Sequence, residues 1–162
     1  LYVRVARRMV GETFMTQHDI PGTSDTSIGM GSYGVDSHHV QRLIFPEDYG
    51  PDTHGAWERD SSGQLQLEGN FLEKKCAYEI PYGAICPKRE ACGNLLVTFC
   101  VSASHVAFSS LRMEPVFMLL CQSAASAVIL ALRENVDVQD VDLPKLQRKL
   151  RSDGHVLSRE TS

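Results

Sequence analysis

The five cysteines, Cys76, Cys86, Cys92, Cys100 and Cys121, contain no C-x-x-C pair. That spacing marks zinc ribbons and thioredoxin-like redox loops, so neither is expected. The clustered thiolates of an iron–sulfur site are missing too. Cys100 and Cys121 read as reduced, core-filling thiols. A basic face is also lacking. The net charge is −4, and the basic residues are scattered apart from Arg7-Arg8, Lys74-Lys75 and a run near the C-terminal end. A nucleic-acid binder needs such a face, so nucleic acid is not an expected partner. There are no internal repeats and no low-complexity segments. No initiating Met, signal peptide or transit segment precedes LYVRVARRMVGETFMT, which reads as ordered from its first residue. We therefore expect a piece of a larger protein, with any targeting signal upstream.

What is present is an ordinary globular composition. With 162 residues, 43% of them hydrophobic, the chain can bury one core. The longest apolar run, 116–132, is apolar around nearly the whole helix. A membrane span takes about 20 such residues. This run is slightly shorter and carries Gln122, Ser123 and Ser126. A helix apolar on all sides also suits the centre of a soluble protein, so we expect a buried helix and no membrane.

Residues 1–16 read as extended, with Gly11 as a bulge. Residues 17–31 are a loop dense in turn formers, and 32–45 resume an extended pattern. QLQLE at 64–68 alternates as a half-buried strand. CAYEIPYGAICP reads as a strand running into a Pro-bounded turn, and LLVTFCV as a buried strand. Residues 136–141 read as extended. DLPKLQRKLRSDG reads as a short amphipathic helix: Asp142 caps it, Leu143, Leu146 and Leu150 share a face, and Gly154 ends it.

The stretch CVSASHVAFSSLRMEPVFMLLCQSAASA joins an apolar strand, a small-residue loop, an arginine and a helix start. Pro115 suits the first helical turn because its missing N–H costs nothing there. Such a turn presents unpaired N–H groups and about half a positive charge, which is an anion-binding arrangement. Ser102, Ala103 and Ser104 are small enough for a flat ligand to approach the backbone. Close packing of helix on strand explains the same residues equally well.

These residues also carry a resemblance. The block YEIPYGAICPKREACGNLLVTFCVSASHVAFSSLRMEPVFMLLCQSAASA resembles the C-terminal flavin-binding region of FAD-dependent oxidoreductases. These share a two-part fold with glutathione reductase and fumarate reductase flavoproteins, and the HdrA-like (heterodisulfide reductase flavoprotein) enzymes belong to the same broad grouping. ARRMVGETFMTQHD, SIGMGSYGVDSHHVQR and VQDVDLPKLQRKLRSDGHVL are similar to that family as well, so the resemblance covers most of the chain. It implies an α/β fold (α+β for a fragment): the C-terminal half of a two-dinucleotide-domain FAD-binding fold, with an antiparallel β cap and a long buried helix. Residues 1–75 would belong to the substrate or cap region, 76–135 to the FAD-binding domain, and 136–162 to a tail.

The implied cofactor is FAD, and the implied activity is hydride transfer between flavin and a small-molecule substrate. FAD lies across a β-α-β unit with a G-x-G-x-x-G loop. SIGMGSYG lacks the strand before it and the helix after it. The resemblance therefore implies a partner, the missing N-terminal FAD-binding half of the same protein. Without it the chain is expected to fold poorly and to be inactive alone. By the same resemblance, Ser102, Ala103, Ser104 and His105, then Arg112, Met113, Glu114 and Pro115, and Gln122 on the helix, bind the cofactor. Relatives carry Gly-Gln-Ala/Ser-Ala-Gly in this helix. Here the run is Cys121-Gln122-Ser123-Ala124-Ala125-Ser126, with both glycines replaced. That departure motivates an alternative, a non-catalytic or decayed module that no longer binds FAD.

Three residues are expected to carry chemistry. His38 shares a strand face with Asp36, and a histidine held by a carboxylate suits acid–base work near neutral pH. A surface pair with His39 is the equal alternative. His105 ends the small-residue loop and would donate to flavin or substrate; satisfaction by backbone is its alternative. Arg112 suits a planar, bidentate acceptor, against a structural pairing with Glu114. Tyr82 is a further candidate for the substrate cavity. Arg7 and Arg8 suit either an anionic substrate or an exposed strand edge.

Overall fold

A computed structural model describes residues 7–20, 22–35 and 77–159. The chain divides into two compact units, Leu1–Asp36 with Glu73–Ser162, and Ser37–Leu72, and the described residues belong to the first. That unit is a mixed α/β structure. Its regular elements are strands β1 (Ser27–Gly31) and β2 (Tyr78–Pro81) and helices α1 (His105–Leu111), α2 (Glu114–Glu134) and α3 (Leu143–Ser152). QLQLE lies outside the described residues, as do Asp36, His38, His39 and Cys76; of the expected extended run 32–45 only 32–35 is described, and it forms no strand.

β1 and β2 pair antiparallel, with Met30 opposite Glu79 and Gly31 opposite Tyr78. β2 matches the sequence expectation. β1 corrects it, because SIGMG reads as loop. Its glycines are there for space rather than turning. A Cβ at Gly29 would strike the Leu119 side chain of α2, and one at Gly31 would strike the Tyr78 ring. Bare backbone lets a helix and an aromatic ring lie against the strand, and that tertiary fit overrides local propensity.

LLVTFCV is not a strand. Its backbone makes two isolated bonds to other segments, Val97 N–H to the Ile85 carbonyl at 2.8 Å and Met9 N–H to the Cys100 carbonyl at 2.9 Å, and no ladder. Leu95 and Phe99 are half exposed rather than buried. Beyond it, the segment Met9–Thr16 threads between residues 84–87 and 100–104 through single bridges, Gly11 to Pro87 and Met15 to Ala103. Gly11 is not a bulge. A Cβ there would run into the carbonyls of Cys86 and Gly83, so glycine permits close backbone approach.

The small-residue loop ends sooner than its sequence suggests. Ser104 caps α1, its hydroxyl accepting from Ala107 N–H, and Arg112 closes that helix after two turns. α2 then starts with Pro115 in its first turn, as expected, and ends at Asn135 in a left-handed conformation (φ 52°). α2 is only half buried, which corrects the expectation of a helix covered on all sides. Val116, Phe117, Leu120, Ala124, Ala127 and Leu130 face inward. Met118 is 73% exposed and Leu132 is 76% exposed on the other side. Its length and composition suffice to cross a membrane. Here its inner face packs on β1 and α3, and Ser123 Oγ donates to the Ile28 carbonyl at 2.8 Å.

The C-terminal part was largely legible. Asp142 caps α3 by accepting from Lys145 N–H, Leu146 and Leu150 are fully buried, and Gly154 takes φ +88° just past the end. Gln147 ties α3 to β1 through the carbonyls of Asp25 and Ser27. Residues Val138–Asp140 form a 3-10 turn where an extended run is expected. Cys86, Cys92, Cys100 and Cys121 are free thiols. Cys121 is exposed and Cys100 half-buried, so neither fills the core as expected.

Candidate functional site

The loop Cys100–Ser104 is shaped by the N-terminal strap that crosses it. Met9 N–H donates to the Cys100 carbonyl at 2.9 Å, Met15 N–H to the Ser102 carbonyl at 3.0 Å, and Ser104 N–H to the Met15 carbonyl at 2.8 Å. The Ser102 hydroxyl accepts from Gly11 N–H at 2.9 Å. Ser102 and Ala103 are buried, and their polar groups are engaged within the fold. Ser104 is half-buried and committed to capping α1. Of the expected cofactor-binding loop, the inner part thus forms a floor, and His105 is the first exposed side chain after it.

Arg8 is the residue this geometry adds. Its Nε donates to the Ala103 carbonyl at 3.0 Å, and its guanidinium lies over the Phe108 ring at 5.4 Å from the centroid. Phe108 continues a row of rings, 6.3 Å to Phe117 in the first turn of α2, then 4.7 Å from Phe117 to Phe99. His105, Phe108 and Arg112 stand three and four residues apart on α1, which places them on one helical stripe. Arg112 is half-buried, and its Nε donates to the Ser109 carbonyl at 3.2 Å. Arg8 therefore stands against the Phe108 ring, with Arg112 at the C-terminal end of the same helix. The only sequence signal for Arg8 was the Arg7-Arg8 pair, because nothing local shows that residue 8 meets residue 108.

α2 opens beside this cluster. Met113 precedes it in an extended conformation, no side chain caps the first turn, and Glu114 and Pro115 are exposed. Gln122 is exposed two turns further on. Its neighbour Cys121 lies with Sγ 3.0 Å from Thr98 Oγ1. Among the expected site residues, Arg112 to Pro115 are exposed or half-exposed at the start of α2, and His105 is exposed at the start of α1. Ser102 and Ala103 are buried against the strap.

Tyr82 lines a separate polar cleft of about 340 Å³, with Glu12, Thr13, Cys86, Arg89 and Gln139. Its hydroxyl donates to the Val138 carbonyl at 2.8 Å, and burial pushes the phenol far above its ordinary range. Burial likewise raises the Cys86 thiol to about 12, so it stays protonated and is not a nucleophile at neutral pH. Arg89 forks onto Asp140 at 3.0 and 2.5 Å and reaches Asp137 at 3.3 Å. Its hydrogen bonds hold the Asp140 carboxyl below the usual range. These pairings fasten the 3-10 turn to the 86–92 loop. Among the described residues no cluster of histidine, cysteine and carboxylates could hold a metal ion.

α2 thus starts beside Arg112, with the buried rings of Phe108 and Phe117 behind its first turn. The family model for FAD dependent oxidoreductases matches residues 1–150. The chain belongs to the FAD-dependent oxidoreductase family, the flavoprotein class whose reactions are oxidations and reductions. No curated protein and no solved structure matches the chain.

Proposed function

We propose that this chain supplies the flavin end of an FAD-dependent oxidoreductase that moves a hydride between flavin and an organic substrate. The observation that carries this reading is the start of α2, without a side-chain cap and directly after Arg112, in a chain of this family. The residues present fit a flavin edge there. The first turn offers a positive dipole end, and the Arg112 guanidinium adds a formal charge to it. Both favour a site where negative charge develops. Flavin, when bound, supplies the hydride chemistry. Met113, Glu114 and Pro115 would form the contact surface, and Gln122 would extend it along α2. Ser102, Ala103 and Ser104 would support it from below.

In the same reading His38, steered by Asp36, is the acid–base group, and His105 is the donor facing the substrate. The grouping is the glutathione reductase and fumarate reductase-like one, including the HdrA-like enzymes, with two dinucleotide-domain parts. Residues 1–75 contribute to the cap, 76–135 to the FAD-binding domain and 136–162 to a tail. The partner is a segment carrying the G-x-G-x-x-G unit, and it would cover the apolar stripe of Met118, Val128, Ile129 and Leu132 on α2. Burial of that stripe would also keep α2 in a soluble protein.

A second reading is a module that keeps the fold without the cofactor. It is favoured by the engagement of Ser102 and Ala103 with the strap, and by the replaced glycines. Titrating FAD into the purified protein separates the two. A saturable complex with the visible flavin bands, weakened by Arg112→Gln, is expected. Absence of bound flavin from well-folded protein would leave the second reading standing.

A further inference from the structure

The cleft that Tyr82 lines is held open by hydrogen bonds on two sides. Glu12 N–H donates to the Cys86 carbonyl at 3.0 Å and Thr13 N–H to the Gly83 carbonyl at 3.1 Å, which fixes the strap as one wall. Gln139 belongs to the other, its Nε2 donating to the carbonyls of Pro87 at 3.0 Å and Cys92 at 2.9 Å. The turn at 82–87 is thus bonded to both walls, and Leu143 adds an apolar side chain to the lining. A Cβ on Gly83 would come within 2.3 Å of Thr13 Oγ1, so glycine keeps this space free. The volume of about 340 Å³ lies within the range of small-molecule sites, which begins near about 300 Å³.

Inside the cleft acceptors are left over and donors are not. The Tyr82 hydroxyl is spent on the Val138 carbonyl, and the Arg89 guanidinium on Asp140 and Asp137. The two carbonyls around the Gln139 nitrogen fix which end of that amide is oxygen. Its Oε1 is then buried with no partner, an arrangement that costs stability until a donor arrives. Glu12 Oε1 accepts from Arg89 N–H at 3.0 Å, and among the described residues no cation pairs with the Glu12 carboxylate. The Glu12 carboxylate and the Gln139 amide are bonded to one short stretch, at Arg89 N–H and at the Pro87 carbonyl, which brings them to the same place. A ligand that answers this lining carries N–H donors and a positive charge. One carboxylate is too few for a divalent metal, which takes more oxygen ligands of that kind.

We propose that this cleft binds a small primary amine in its ammonium form. Glu12 holds the charge, Gln139 Oε1 accepts an N–H, and Leu143 meets the alkyl carbons. The site goes beyond the flavin reading and does not depend on it.

The test is a ligand-observed NMR titration of the purified full chain at low salt, without FAD. The probes are n-butylamine, its uncharged counterpart 1-butanol, and tetramethylammonium, which keeps the charge and has no N–H. An exposed carboxylate contributes modestly to an ion pair, so butylamine is expected to bind about fivefold more tightly than butanol. Tetramethylammonium should also bind more weakly than butylamine. Glu12→Gln should weaken butylamine by about the same fivefold, since its amide oxygen can still accept from Arg89 N–H and spare the fold. In a nitrogen-15 spectrum of the wild type, butylamine should shift the Arg89 backbone N–H and the Gln139 side-chain amide. No binding of butylamine, equal binding of butanol or tetramethylammonium, or affinity unchanged in Glu12→Gln overturns the proposal. If circular dichroism shows Glu12→Gln unfolded, the wild-type spectrum decides, and butylamine that leaves both the Arg89 and Gln139 signals in place overturns it equally.

Discussion

Gly11 and Ser102 meet inside the protein, the N–H of one donating to the hydroxyl of the other at 2.9 Å. Each is in place for a reason visible nearby. The carbonyls of Cys86 and Gly83 leave no room for a side chain on Gly11, and Ser102 also spends its own N–H and carbonyl on Ala84 and Met15. Ser102→Ala would leave a buried N–H without its partner, a loss of about 1–3 kcal/mol. Gly11→Ala would force backbone apart and cost about as much or more. Chemical denaturation of the two variants checks both. A midpoint unchanged in Ser102→Ala would mean that water replaces the hydroxyl and that this corner of the core is wet.

Asp140 sets part of the acid response. Its hydrogen bonds to Arg89 lower its carboxyl from the ordinary 3.8. A depressed carboxyl stabilises the fold fully above its unfolded value, and that contribution disappears as the pH falls through the folded one. Wild type should therefore exceed Asp140→Asn in stability near neutral pH, and the two curves should converge at the acid end. The pair is exposed, so added salt should narrow the gap. Melting temperatures across pH and salt provide the measurement. A gap that persists unchanged at the acid end would show that Asp140 acts by something other than its charge.

The thiols should divide by burial. Cys121 is exposed, whereas Cys86 is buried with its thiol raised from the ordinary 9.0 to about 12. A maleimide reagent near neutral pH should label Cys121 readily and Cys86 only after unfolding. The same shift costs stability in alkali. Between those two values the unfolded chain loses the Cys86 proton and the folded chain keeps it, so stability falls as pH rises through that window. Mass-spectrometric mapping of labelled cysteines gives the order, and early labelling of Cys86 would show that its surroundings open in the native state.

Legibility followed the range of the forces involved. α3 could be read from Asp142, its leucine spacing and Gly154, because cap, stripe and stop are all local. Pro115 likewise marked the start of α2. SIGMG looked like a turn because its glycines answer to Leu119 and Tyr78, which are distant in sequence. LLVTFCV reads as a buried strand because a run of apolar residues predicts an inward face, whereas Leu95 and Phe99 lie at the surface. α1 carried its signal in Ser104, but a two-turn helix leaves little periodicity to detect. At the candidate site, His105 and Arg112 could be singled out from one contiguous stretch. Arg8 could not, since its place depends on a contact across 95 residues.

The strap from Met9 to Thr16 has a consequence in time. It joins the first part of the chain to residues 100–104, across 91 residues in the case of Gly11 and Ser102. Contacts so remote form late, because the entropy of closing the intervening loop is spent before they return anything. A nascent chain emerging from the ribosome can build β2 and its turn early, but the floor beneath His105 must wait until both ends have met. A proteolytic nick between Met9 and Thr16 would divide the strap whose hydrogen bonds hold that floor.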